Sequence, residues 1–146
     1  MKILKNEQYH LYIEEKANEV TITEFNETKV YQVLEKTNDL PQTCHAVLNH
    51  LYVNPGHEEE FEGTFLKRDK HLESNEGFES LLFLKPQSLN SHYVIVTLWF
   101  DETSFTNWQN SEDYKHSHRN RGTKKGVDQS IVNRDLSFKI SVELSR

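Results

Sequence analysis

The chain holds one cysteine, Cys44, in 146 residues. No disulfide can form within it, and the setting this implies is a reducing cytoplasm. Glycine is scarce: only five are present, none of them spaced as Gly-x-Gly-x-x-Gly. A phosphate-cradling loop is therefore absent, as is any flavin or nicotinamide motif. Eight histidines invite a zinc hypothesis. There is no His-Glu-x-x-His run, however, and no paired cysteines to support it. His45 and His50 fall on opposite faces of a strand, and His116 and His118 on different sides of a helix. No stretch approaches the ~20 apolar residues of a membrane helix. Met1 to Tyr12 is polar and mixed in charge, without the apolar core of a secretory signal. Net charge is −6, with acids scattered among bases, so most of the surface repels a phosphate backbone and nucleic acid is excluded as a partner. One stretch, Lys115 to Lys125, is locally basic.

What is present suits one globular domain: 35% hydrophobic and 11% aromatic residues. Cys44 to Val53 reads as a strand ended by Asn54-Pro55-Gly56. Gly56 to Leu72 reads as a helix, with Phe61, Phe65 and Leu72 near helical spacing and Glu58, Glu59 and Glu60 in its first turn. Glu79 to Lys85 is a second strand. Tyr93 to Phe100, nearly all apolar or β-branched, is a central strand covered on both faces. Asp101 caps a helical stretch carrying Phe105 and Trp108. Ser111-Glu112-Asp113 starts a further helix that ends near Gly122. Ser137 to Leu144 alternates, with Phe138, Ile140, Val142 and Leu144 on one face. The order is βαββαβ, an α+β ferredoxin-like plan. Its two helices cover one sheet face and leave the other apolar. Residues 1–40 are expected to supply β strands over that open face, with the main domain at 41–146. His10 to Ile13 and Val20 to Phe25 alternate like strands, and Val30 to Glu35 fits either type.

Three side chains stand out. Asn49 interrupts the row His45, Val47, Leu51, Val53. An unpaired buried amide costs roughly 1–3 kcal/mol. It is therefore either a core asparagine satisfied by backbone or a neutral donor aimed into a cavity. Trp108 is either core, as Trp99 is, or the border of a cavity, because a helix break follows it. His118 is either part of a solvated cationic helix end with Lys115, His116, Arg119 and Arg121, or a neutral imidazole that ligates iron. On one unbroken helix Trp108 and His118 would lie about 80° apart and roughly 15 Å along the axis, but the Ser111 break leaves their relation open. Cys44 has no identified base and makes a poor nucleophile.

The segments Ala46-Val47-Leu48-Asn49, Asn75-Glu76-Gly77-Phe78, Val96-Thr97-Leu98-Trp99 and Ser104-Phe105-Thr106-Asn107-Trp108 carry a resemblance, with Ser111, Tyr114-Lys115 and His118 following. The chain resembles the IsdG-type haem-degrading monooxygenases of the antibiotic biosynthesis monooxygenase superfamily, whose fold is the dimeric α+β barrel. Arg121-Gly122-Thr123 and Gly126-Val127-Asp128 are similar to a single-chain Bacillus form. The likeness spans about residues 40 to 146.

The resemblance implies that His118 is the axial iron ligand and Asn49 a hydrogen-bonding group on the opposite side. Trp108 would press the macrocycle out of plane. Haem would be both cofactor and substrate, opened with O2 and electrons from a separate reductase, with release of iron. Arg119, Arg121, Lys124 and Lys125 are candidates for holding the anionic propionates. His50, beside Asn49, points away from it and has no role. The N-terminal extension would act as half of a pseudo-dimer, favouring a monomer. Two other readings stand beside this one. The first is a non-catalytic haem-binding or signalling relative, like a staphylococcal member that lacks the tryptophan and histidine. The second is a cofactor-free quinol or polyketide monooxygenase.

Overall fold

Period-two alternation over Thr43–Val53 builds the strand on which the rest of the sheet is laid. The computed structural model describes residues 2–68, 71–88, 91–111 and 128–146. The described strands are β1 (Lys2–Asn6), β2 (Leu11–Lys16), β3 (Glu19–Glu24), β4 (Glu27–Thr37), β5 (Thr43–Val53), β6 (Phe78–Pro86), β7 (Tyr93–Trp99) and β8 (Val132–Ser145). Helix α1 (Glu58–Leu66) follows β5, a 3-10 turn occupies Leu72–Ser74, α2 (Glu102–Gln109) follows β7, and a short α3 (Asp128–Ile131) precedes β8. From β5 onward the order is βαββαβ, with β6-β7-β5-β8 side by side, as the ferredoxin-like plan requires. The helix expected beyond Ser111 lies outside the described residues.

The N-terminal strands do not lie as a layer over an open sheet face. They close the sheet instead. β1 to β4 form an antiparallel meander, β4 pairs with β6, and β1 meets β8 at Lys5 and Ser145, so eight strands make a closed barrel. Closure satisfies both edges of the four-stranded sheet at once, which a stacked layer would leave exposed. The former open face becomes the barrel interior. It is filled by Leu4, Ile13, Val20 and Ile22 from the extension and by Ala46, Leu48, Leu82, Val94, Val96 and Leu98 from the remainder.

Three boundaries differ from the sequence expectation. β1 was read as polar because only Leu4 of its five residues is buried. The helix expected over Gly56 to Leu72 stops at Leu66, where Lys67 caps it, and Leu72 begins the separate 3-10 turn. β8 starts five residues before the expected Ser137.

One polar cluster ties the extension to α1. Arg68, just past that helix, donates to both carboxylate oxygens of Glu35 on β4 (2.9 and 3.1 Å) and to Glu73 (2.5 Å), and its guanidinium lies 4.1 Å from the Phe65 ring centroid. All three charged side chains are mostly buried. Burial works against the guanidinium charge, but the two carboxylates hold its pKa above the ordinary value. Arg68→Ala strands two carboxylates in low dielectric, so it is expected to cost about 2–4 kcal/mol. Urea denaturation would show this as a lower midpoint at an unchanged m-value.

Candidate functional site

The even-numbered residues of β5 face the barrel interior, and the odd-numbered ones face the helices. Asn49 is on the helix side, in the row with His45, Val47, Leu51 and Val53. Around it the outer face carries two apolar clusters. One gathers Leu51, Val53, Phe61, Leu81, Phe83 and Tyr93 under α1. The other gathers Val47, Trp99 and Phe105, with Trp108, under α2. Asn49 falls between these footprints. By register its flanking residues are Ile95 on β7 and Lys139 on β8. The side chain is half-buried and makes no hydrogen bond to a described residue. Of the two readings open from sequence, a core asparagine satisfied by backbone does not match this placement among the described residues.

Helix α2 sets the position of Trp108. Asp101 caps it: Oδ1 accepts from the Ser104 backbone N–H (2.8 Å) and from Ser104 Oγ (2.7 Å). These bonds hold the Asp101 carboxyl below its ordinary pKa. Phe105 and Trp108, three residues apart, share one helix face. The Trp108 ring sits 5.7 Å from Trp99 and 6.2 Å from Phe105. Trp99 is fully buried, and its indole N–H donates to Thr97 Oγ1 at 3.0 Å, so it is structural as expected. Trp108 is only partly buried.

The structure brings Asn49 and Trp108 onto one face, two strand positions and one aromatic cluster apart. His118, Arg119, Arg121, Lys124 and Lys125 lie outside the described residues. Among the described residues no group of three or more His, Cys, Asp or Glu is placed to hold a metal ion. No described helix is long and apolar enough to cross a membrane. Two clefts lined by described residues lie away from Asn49 and Trp108. One is at the barrel end between Lys5, Cys44, Phe100 and Glu143, and the other is beside Lys2, Glu15 and Lys36.

The remaining candidates separate cleanly. His45 shares the Asn49 face, with Nδ1 2.7 Å from Glu143 Oε1 and Nε2 buried without a partner. His50 turns the other way. Its Nε2 lies 2.6 Å from Glu24 Oε1 on β3 and its ring stacks on Phe138 at 4.3 Å, so it braces the barrel. Cys44 is buried. Burial, aided by the carboxylates of Glu143 and Glu79, pushes its thiol from 9.0 up to about 12. The fold thus favours the protonated thiol, and stability is expected to drain away as pH rises from 9 towards 12. At pH 8, iodoacetamide should label native Cys44 about a thousandfold more slowly than the urea-unfolded chain. Equal rates would contradict the burial.

Sequence reading missed two residues. Lys139 was passed over because its importance rests on strand register, although the alternation noted for β8 already put it opposite Phe138. Gly77 was noted only inside a segment. It has φ +85°, and a Cβ there would stand 2.1 Å from Ser104 Oγ and 2.4 Å from Ser104 Cβ. Its carbonyl also accepts the Phe100 N–H at 2.7 Å. Gly77 is thus the seat of α2. Gly77→Ala is expected to cost about 3 kcal/mol, from overpacking and left-handed strain together. Tryptophan emission should shift with it as Trp108 is displaced from Trp99.

Comparison with known proteins fits this architecture. Residues 45–120 match the antibiotic biosynthesis monooxygenase family, and the chain belongs to it. The fold is shared with a major regulator of staphylococcal pathogenesis at 14% identity and TM-score 0.64, over 96% of this chain and 86% of that one. It is shared with LmHde, a heme-degrading enzyme of Listeria monocytogenes, at 17% identity and TM-score 0.56, over 92% and 82%. It is also shared with MhuD, a heme-degrader of Mycobacterium tuberculosis solved with two hemes in its active site. That match has 20% identity and TM-score 0.52, over 70% and 94%.

Proposed function

We propose that this protein is a haem-degrading monooxygenase that binds haem on the outer face of β5 and opens the ring with O2 and external electrons. One observation carries the reading: a half-buried carboxamide, Asn49, set without a described partner between two apolar clusters, one of which includes Trp108. Such a group gains by pairing with a ligand's polar side, while the aromatic row around it suits a flat apolar macrocycle. The donor set fits haem on that count. Two of the structural relatives, LmHde and MhuD, are named for the degradation of this molecule. The finer likeness to the single-chain Bacillus form belongs to the same reading, with β1–β4 standing in for a second subunit.

Haem supplies the iron and the oxidisable ring, and a separate reductase supplies electrons. The chain's own residues do the rest. His118 would hold the iron through a ring nitrogen. Asn49 would present its amide N–H to the oxygen side and, being neutral, neither gives nor takes a proton. Trp108, backed by Trp99 and Phe105, would press one edge of the ring and keep water from it. Arg119, Arg121, Lys124 and Lys125 are the nearby cations in sequence for the propionates.

A second reading is that the protein binds its ligand without turnover; the fold is shared with a protein named as a regulator as well as with two named as heme degraders. Hemin titration separates the two. One equivalent should give a saturating Soret shift, and His118→Ala should abolish it. With reductant and O2 the Soret band should then decay and free iron appear. Asn49→Ala should keep the binding and slow the decay by roughly 100- to 1,000-fold. Hemin that stays bound and intact under these conditions would decide for the non-catalytic reading.

A further inference from the structure

The outer face of β8 carries a cation, Lys139, with no carboxylate within 4 Å among the described residues. Lys139 lies directly across the ladder from Asn49. Its Nζ sits 5.3 Å from the centroid of the Phe105 ring, so the chain leans over the α2 aromatic cluster. Among the described residues, Lys2, Lys5, Lys29, Lys36, Lys85 and Arg68 have carboxylates within 4 Å, whereas Lys139, like Lys16, Lys67, Arg134 and Arg146, has none. The next acid along its face is Glu143, already engaged by His45 at 2.7 Å. Ser141, between them, is uncharged and exposed.

A solvated surface lysine is the ordinary outcome for an exposed strand residue. Two features set Lys139 apart. Its ammonium lies over the Phe105 ring although the residue is exposed, and its register partner is the Asn49 carboxamide, which has no described partner. Together they give this patch one neutral donor, one cation and an aromatic wall, all on adjacent elements. That is the donor set for a ligand with a flat apolar body and an anionic substituent at its edge.

We propose that Lys139 is the contact that takes a carboxylate of the ligand held between Asn49 and Trp108, and that it sets a preference for the ligand with that carboxylate free. This rests on the haem reading, where the carboxylate is a propionate. Lys139 extends the cationic set beyond the residues after Trp108, onto the last strand. It acts in binding and orientation, with no part in the oxidation itself.

The test is a pair of Soret titrations, with ferric protoporphyrin IX and with its dimethyl ester, on wild type, Lys139→Gln and Lys139→Arg. Wild type should prefer the free acid by roughly tenfold at low salt, and the preference should shrink as ionic strength rises. Lys139→Gln should weaken free-acid binding by about that factor, leave the ester unchanged, and so erase the preference. Lys139→Arg should retain it. Free-acid and ester binding that fall in parallel, or that both stay unchanged in Lys139→Gln, would overturn the Lys139 proposal and leave the haem reading standing. A wild-type protein that takes up neither porphyrin would overturn the haem reading, and the propionate contact with it.

Discussion

Two antiparallel ladders, one on each side of Thr43–Val53, fix where everything else in this protein goes. Because side chains alternate at a period of two, those ladders sort the strand into an inward set, Cys44, Ala46, Leu48 and His50, and an outward set, His45, Val47, Asn49, Leu51 and Val53. A slip of one residue would exchange the sets. It would drive Asn49 and His45 into the barrel and expose Ala46 and Leu48. Each large aliphatic on the strand is worth roughly 1.5–3 kcal/mol when buried, and both faces contribute, so the register is held from two sides. The position of the Asn49 carboxamide follows from that constraint rather than from any local turn.

Closure of the barrel decides which face of the sheet is left to the helices. An eight-stranded barrel has an interior about wide enough for its own side chains. Here Leu4, Ile13, Val20 and Ile22 from the first strands meet Leu48, Leu82, Val96 and Leu98 inside it, all of them buried. A ligand the size of a macrocycle has no place there. The helices, seated on the opposite face by Phe61 and Phe105, divide the outer surface into two covered zones with Asn49 between them. Filling the inside with side chains from the extra strands thus leaves Asn49 on the helix side, between the two covered zones.

The order βαββαβ, the face of Asn49, the Asp101 cap and the structural role of Trp99 were legible in the sequence. Each rests on alternation or on a capping residue, and these are local signals. Barrel closure was not legible, because nothing local tells a strand which edge it will join. The N-terminal hairpins also hid their turns. Phe25 and Asn26 both adopt positive φ between β3 and β4, and Ala17 does so between β2 and β3, where glycine would have announced the turn. β1 escaped notice because it buries a single leucine. The seat of α2 on Gly77 is a tertiary contact between segments 27 residues apart, marked in sequence only by a glycine. Lys139 needed the β5–β8 register before its neighbour could be named.

Charge gives the last constraint on what this face can accept. A chain of net charge −6 repels an anionic ligand at long range. Binding one therefore requires that the local field differ from the global one. On the described outer face it does. Asn49 is neutral, Lys139 is positive, and the negative charge of Glu143 is turned towards His45. Within a Debye length of about 8–10 Å a near cation outweighs acids that lie farther off. An aspartate at position 49 would have reversed that balance beside Lys139 and brought a titratable group to this face. An asparagine offers a hydrogen bond without a charge and leaves the field to the lysine.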